Sequence, residues 1–273
     1  MMRNLAVLIV ALLAFAAAFA APALAADAPK VLIITGDHGH KWKETTPYLK
    51  ALLEKAGMNV TVTETPAKDL TADNLAKFDV LLLNYKDTKA GTADTNWTDE
   101  NKKAFDEAVK GGKGLVVYHH ASSAFINKDD PWSKQFETIT AGGWRSQGFH
   151  GKRHEYDVTV KEGDHPITKG LAGTYHHSND ELYQNSLIPD GAQVLATAWS
   201  EPSKDPKNTG KHEPMVWVTT YGKGRVCNNA LGHDVPAMEG SPIFQVLIVR
   251  CVEWAATGDA KAAPPAELKP VTK

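Results

Sequence analysis

Past the first 25 residues, three short stretches between residues 30 and 118 stand out as apolar runs. They are Lys30-Val-Leu-Ile-Ile34, the Val-Leu-Leu-Leu run between Asp79 and Asn84, and Gly114-Leu-Val-Val-Tyr118. Runs of this length without polar alternation predict strands buried on both faces, as in a parallel sheet. Between them the period changes. Leu49, Leu52, Leu53 and Ala56 form a helical stripe. Thr46 is its expected N-cap, Pro47 its first helical residue and Gly57 its stop. Phe105, Ala108 and Val109 form a second stripe, opened by Thr98 with Asp99 and Glu100 in the first turn and closed by Gly111-Gly112. Residues 59–63 alternate as a further strand. This order implies right-handed crossovers.

The later half is patterned differently. Residues 155–160 and 193–199 alternate, and residues 214–221 and 225–231, joined by Gly222-Lys223-Gly224, predict a hairpin. Ser241 and Pro242 open a final helix through Ala256, packed by Ile243, Leu247, Cys251 and Trp254. The expected fold class is α/β, with a mostly parallel central sheet and helices on both faces, flavodoxin-like.

The ends of the chain change the picture in two ways. Met1-Met2-Arg3, an uncharged apolar run from Leu5 to Ala20, and Ala23-Leu24-Ala25 compose a signal peptide over residues 1–25, cleaved after Ala25. The mature protein is then expected outside the cytoplasm, periplasmic or secreted, with no membrane span left. Residues 29–258 read as a single domain, and residues 259–273, rich in Pro, Ala and Lys, as a disordered tail. The net charge of −2 comes without a basic run, which argues against a nucleic-acid partner. Cys227 and Cys251 are expected as buried thiols, with a disulfide as the alternative.

In an open parallel sheet, ligands bind beyond the carboxyl ends of the strands. The first strand delivers Asp37, His38 and His40 there, the second Asn84 and Tyr85, the third His119 and His120, and the hairpin His233 and Asp234. With 11 histidines in the chain, histidine stands at three of these four ends. The loops add Trp144, His150, His177, Asp180, Glu181 and His212. Imidazoles mixed with carboxylates suit three tasks: holding a divalent metal, acid–base catalysis near neutral pH, and hydrogen bonding to sugar hydroxyls with Trp144 as a stacking face. There is no His-Glu-x-x-His spacing, Gly-x-Ser-x-Gly elbow, dinucleotide fingerprint or phosphate loop. Asp180-Glu181 also reads as a helix-start cap.

Six motifs carry a resemblance. They are Gly-Lys-Gly-Leu-Val-Val-Tyr-His ending at His119, Gly142-Gly-Trp144, His165-Pro-Ile-Thr168, Asp180-Glu-Leu-Tyr183, His212-Glu-Pro214, and Tyr221-Gly-Lys-Gly-Arg-Val226 followed by Leu231-Gly-His-Asp234. In order and spacing they resemble the ThuA-like (trehalose utilisation) family of the class I glutamine amidotransferase-like superfamily. The resemblance implies that superfamily's fold and a link to sugar metabolism, including 3-keto-disaccharides. Amidotransferases place a nucleophilic cysteine after the strand that here runs into His119, so no cysteine-dependent amidotransferase is expected. Family motifs bring over His40, His119, Trp144, His150, His177, Asp180, Glu181, His212 and His233 as site candidates.

The expected function is therefore an exported protein acting on a small-molecule carbohydrate. It is read as a hydrolase or lyase on a glycoside or 3-keto-sugar, or alternatively as a non-catalytic sugar-binding or accessory protein. Catalytic candidates are His119, His233, His177, Asp180 and Glu181; substrate-binding candidates are Asp37, His40, Tyr85, Trp144, His150 and His212. A divalent metal (Zn, Mn or Co) has His40, His119 and His233 as candidate ligands.

Overall fold

The computed structural model describes residues 28–36, 40–87 and 92–272. The expected signal peptide over residues 1–25, together with Asp37 and His38, lies outside these. The chain opens with β1 (Lys30–Ile34), α1 (Trp42–Lys55), β2 (Asn59–Thr63), the short helices α2 (Pro66–Asp69) and α3 (Ala72–Leu75), β3 (Val80–Leu83), α4 (Asp99–Lys110) and β4 (Gly114–Tyr118). A 3-10 turn over His119–Ser123 leads to α5 (Pro131–Ile139) and β5 (Phe149–His150). Then come β6 (His154–Val160), β7 (Gly173–Asp180), β8 (Tyr183–Gln184), β9 (Gln193–Trp199), β10 (His212–Tyr221), β11 (Gly224–Asn229), α6 (Val235–Glu239) and α7 (Pro242–Thr257).

One sheet of order β2-β1-β3-β4-β11-β10-β9-β6-β7 runs through the molecule, and β5 pairs with β8 separately. The block from β2 to β11 is parallel. From β11 outward through β10, β9, β6 and β7 every pairing is antiparallel. The parallel description thus holds for the first half, and antiparallel pairings extend the sheet in the second, where the connections between β6 and β11 carry no helix.

The uninterrupted apolar runs are explained by the two faces. Val31 and Ile33 pack with Leu49, Leu53 and the α7 residues Ile243, Leu247 and Cys251. Their neighbours Leu32 and Ile34 pack with Phe105, Val109 and Phe136 on the other side. Each such side chain contributes roughly 1.5–3 kcal/mol by leaving water.

The caps at Thr98 and Ser241 form as expected, each accepting a backbone N–H three residues on. Thr46 does not cap α1, which begins four residues earlier. Thr45 and Thr46 instead accept from Asn84 Nδ2 at 3.1 and 2.8 Å, and Thr46 donates to Thr35 Oγ1. These buried hydroxyls tie α1 to the ends of β1 and β3, and Pro47 is carried inside the helix. Cys227 and Cys251 are buried thiols whose sulfurs lie 2.7 Å apart. The C-terminal stretch, expected to be disordered, forms no helix or strand over residues 260–272 but is fastened at several points. Arg250 Nε donates to Ala262 O, Glu253 accepts from the Lys261 and Ala262 N–H groups, and Val271 N donates to Thr174 O.

Candidate functional site

The parallel strands end in polar residues because they run out from under the apolar layers. Beyond β4 the chain turns sharply, placing His119 at φ +46°, a left-handed conformation uncommon outside glycine. Backbone strain of this kind costs on the order of 1–3 kcal/mol and persists where the surroundings impose it. Here His119 Nδ1 bonds the Ala230 carbonyl at 2.8 Å, just past the end of β11. A carbonyl only accepts, so Nδ1 carries the proton and Nε2 keeps the lone pair. Nε2 in turn accepts from the Tyr183 hydroxyl at 2.9 Å.

Three other groups meet His119. Glu181 Oε2 lies 3.5 Å from His119 Nε2, 3.1 Å from His233 Nδ1 and 3.9 Å from His40 Nε2. One ligand-capable atom from each of His40, His119, Glu181 and His233 falls within 4.8 Å of all the others. From the far side, His150 Nε2 stands 3.5 Å from Glu181 Oε1, with its Nδ1 on the Gly151 carbonyl. His120 stacks on His40, ring centroids 3.9 Å apart and nearly parallel.

Beneath this layer lies a buried scaffold. Asp180, fully buried, accepts from His177 Nε2 and Gly232 N, each at 2.7 Å, through Oδ2. Through Oδ1 it accepts from the Glu181 and His233 N–H groups, at 2.7 and 3.0 Å. His177 closes the network at 2.5 Å from Ser241 Oγ, the N-cap of α7. One carboxylate therefore sets the backbone of both Glu181 and His233. Gly232 is required here: its φ is +92° and a Cβ would meet the Phe244 ring at 2.7 Å.

The charges follow. Burial would raise the Glu181 carboxyl, but the imidazoles of His119, His233 and His40 beside it hold it far below the usual carboxylate range. Burial would likewise raise Asp180, yet the His177 hydrogen bond, its charge and the Gly232 N–H hold it at about 2. His40 is pushed below its ordinary value, chiefly by burial and also by His119 and His233, despite the opposing Glu181. Burial, Glu181 and Asp180 hold the Tyr183 phenol well above its ordinary range, so it stays a donor.

Of the sequence candidates, the structure gathers His40, His119, His150, His233 and Glu181 around one point. Trp144 borders them, its indole 4.5 Å from the Tyr183 ring and 5.6 Å from His150 between centroids. The Gly-Gly before it allows this approach, since a Cβ on Gly143 would sit 2.4 Å from Ser122 Cβ. His177 and Asp180 lie behind the site and position it. Asp180 ends β7 rather than starting a helix. Two candidates lie elsewhere. Tyr85 is buried against Trp97 and Phe125, its ring turned into the aromatic core while Asn84 takes the α1 side. His212 is exposed on the outer sheet face, opposite Trp199 on β9, because β10 runs four residues past its last pairing with β11 and its neighbour Glu213 takes the inward side. Asp37 lies outside the described residues. Sequence reasoning passed over Tyr183, although it closes the Asp-Glu-Leu-Tyr motif.

A cavity of about 530 Å³ lies elsewhere, lined by Ala72, Asp79, Gly111 and Lys113 before the amino ends of β3 and β4. It gathers no comparable set of imidazoles, and ligand sites in such sheets lie at the opposite ends.

A family model described as ThuA, trehalose utilisation, matches residues 30–255. Among solved structures, a ThuA-like protein from Parabacteroides merdae superposes with TM-score 0.74 at 29% identity, over 89% of this chain and 95% of that one. A ThuA-like protein from Bacteroides uniformis gives TM-score 0.61 at 22% identity, over 88% and 98% of the two chains. A Salmonella typhimurium protein described as cytoplasmic shares the fold at TM-score 0.58 and 15% identity, over 83% and 99%. No curated protein sequence matches.

Proposed function

The chain belongs to the ThuA family, and from that premise we propose an enzyme that cleaves or rearranges a glycoside or keto-sugar, with its centre at His40, His119, Glu181 and His233. The observation that carries the proposal is their convergence within 4.8 Å at the carboxyl ends of β1, β4 and β11. Packing alone gives no reason to gather three imidazoles around one carboxylate there. The family's description, trehalose utilisation, supports a sugar as substrate.

The donor set fits a divalent transition cation. Three nitrogens and one carboxylate oxygen suit zinc, manganese or cobalt better than magnesium or calcium. Tetrahedral ligands about 2.1 Å from a cation stand roughly 3.4 Å apart, and the distances from Glu181 Oε2 run from 3.1 to 3.9 Å. His233 Nδ1 is buried and makes no hydrogen bond of acceptable geometry, as a nitrogen kept for a cation would be. His119 donates its other nitrogen to a backbone carbonyl, a common support for a ligating histidine. When bound, the cation would polarise a substrate oxygen.

His150 stands outside this set. Its Nδ1 is engaged by Gly151 and its Nε2 faces the site, which suits it to take a proton from the acidic C–H beside a sugar ketone. Trp144 borders the cluster beside Tyr183 and His150 and offers a sugar an aromatic edge. His177 and Asp180 hold the geometry. With the signal peptide over residues 1–25, we further propose that the enzyme works outside the cytoplasm.

The test is incubation of the purified protein with 3-keto- and unoxidised disaccharides, with and without zinc, manganese or cobalt, followed by chromatography of the products. Cation-dependent conversion of a sugar, lost in His119→Ala, is expected. Saturable sugar binding with no product after long incubation would show a binding protein instead and overturn the catalytic assignment.

A further inference from the structure

Tyr183 is fully fixed and its hydroxyl points at a nitrogen that is needed for something else. Its ring lies 4.4 Å from the His119 ring and 4.5 Å from Trp144 between centroids, and β8 pairs it with His150. The hydroxyl stands 2.9 Å from His119 Nε2. Because Nδ1 keeps its proton and donates it as a hydrogen bond to the Ala230 carbonyl, Nε2 has the only lone pair on that ring. The same Nε2 is the His119 atom nearest Glu181. One lone pair cannot serve both the phenol proton and a cation.

We infer that Tyr183 is the hydrogen-bond donor to the substrate oxygen, kept on His119 Nε2 while the centre lacks a cation and released into the site when a cation occupies that nitrogen. This inference rests on the cation site proposed above. A buried O–H that loses its acceptor costs about 1–3 kcal/mol, so the hydroxyl turns to the oxygen that fills the space above the centre, first water and then substrate. The ring cannot follow it out, being held between Trp144 and His119. The residue thus has two acceptors in two states, and cation loading is coupled to placing a neutral donor at the substrate. No bond is made or broken in this exchange; one hydrogen bond is traded for another.

The coupling fixes the sign of an effect that a merely structural tyrosine would reverse. Tyr183→Phe removes a competitor for Nε2 and leaves the ring packing intact. Calorimetric titration of chelator-treated protein with zinc, manganese or cobalt should give tighter binding in the variant, by roughly fivefold, the equivalent of one net hydrogen bond. At saturating cation, kcat on the converted sugar should fall by about 10²-fold, as when one donor to a reacting oxygen is removed. In the wild-type protein, cation loading should change the ultraviolet difference spectrum of a buried phenol, a signal absent from the variant. Weaker or equal cation affinity in Tyr183→Phe overturns the inference, as does tighter binding with unchanged kcat. If wild-type protein binds no cation at all, the cation site itself fails. Cation binding without any spectral change condemns only the role of Tyr183.

Discussion

Replacing Asp180 with asparagine changes one atom in a fully buried scaffold, and the consequences can be worked through donor by donor. The carboxylate accepts four hydrogen bonds, two on each oxygen. Asparagine keeps one oxygen and turns the other into a donor. The least costly orientation puts the amide nitrogen in place of Oδ2, facing His177 and Gly232. His177 can adapt by exchanging tautomer, accepting at Nε2 and donating from Nδ1 to Ser241 Oγ. The Gly232 N–H cannot adapt and is left buried against another donor, at a cost of about 1–3 kcal/mol. Linkage gives a second measure. The Asp180 carboxyl is lowered from 3.8 to about 2, a shift worth roughly 2 kcal/mol of native stability at neutral pH.

Asp180→Asn should therefore lower the unfolding free energy of the cation-free protein by about 2–3 kcal/mol at pH 7. The sign with pH is also fixed. A depressed carboxylate pKa contributes stability that is complete above its unfolded value of 3.8 and lost as pH falls through about 2. The gap between wild type and variant should narrow once pH drops below about 4. Urea unfolding of both proteins at about pH 7 and pH 3 measures this. A difference below about 0.5 kcal/mol at pH 7, or a gap of constant size down to pH 3, would refute the role given to Asp180.

Three further outcomes are expected. Cation affinity should fall as pH drops below histidine's reference value of about 6.5, because a cation at the proposed site needs neutral imidazoles and His40 is already pushed toward neutrality by burial and by His119 and His233; affinity constant down to pH 5 in a titration series would count against the site. His212→Ala should leave turnover unchanged and unfolding free energy within about 0.5 kcal/mol, since the ring sits on the outer sheet face; a large loss of kcat would restore it to the site. Refolding in a glutathione redox buffer should join Cys227 and Cys251, whose sulfurs lie 2.7 Å apart, the two electrons and protons passing to glutathione disulfide; two alkylatable thiols in the denatured, unreduced product would exclude the bond.

What could be read from the sequence depended on whether a residue's partners lay nearby in the chain. β1, β3 and β4 were legible because both their faces meet apolar layers, so burial shows as an unbroken run. Thr98 and Ser241 cap within three residues of themselves, and the Gly222-Lys223 turn joins adjacent strands. β7 was read as a loop because its inward residues include His177 and Asp180, which satisfy each other and need no apolar pattern. Tyr85 and His212 were misplaced for one shared reason. A residue that follows or opens a strand can turn to either side, and the choice is made by a distant residue holding its neighbour, the α1 threonines on Asn84 in one case and Asn185 on Glu213 in the other.

The same logic explains why the site itself was half visible. His119 and His233 could be found by following apolar strands to their ends. Glu181 was found as a carboxylate, but its place among three imidazoles could not be, since β7 is the far edge of the sheet from β1 in strand order. Asp180 closes that distance by binding the Gly232-His233 backbone 52 and 53 residues away in sequence. A loss at Asp180 should therefore reach Glu181 and His233 together. In the Asp180→Asn protein, cation affinity should fall although none of the four proposed ligand side chains has changed, by the 10–100-fold typical of losing a supporting residue behind a metal ligand. Calorimetric titration of the folded variant decides it. Undiminished affinity would mean that Glu181 and His233 keep their places without the carboxylate beneath them, and that the scaffold serves stability alone.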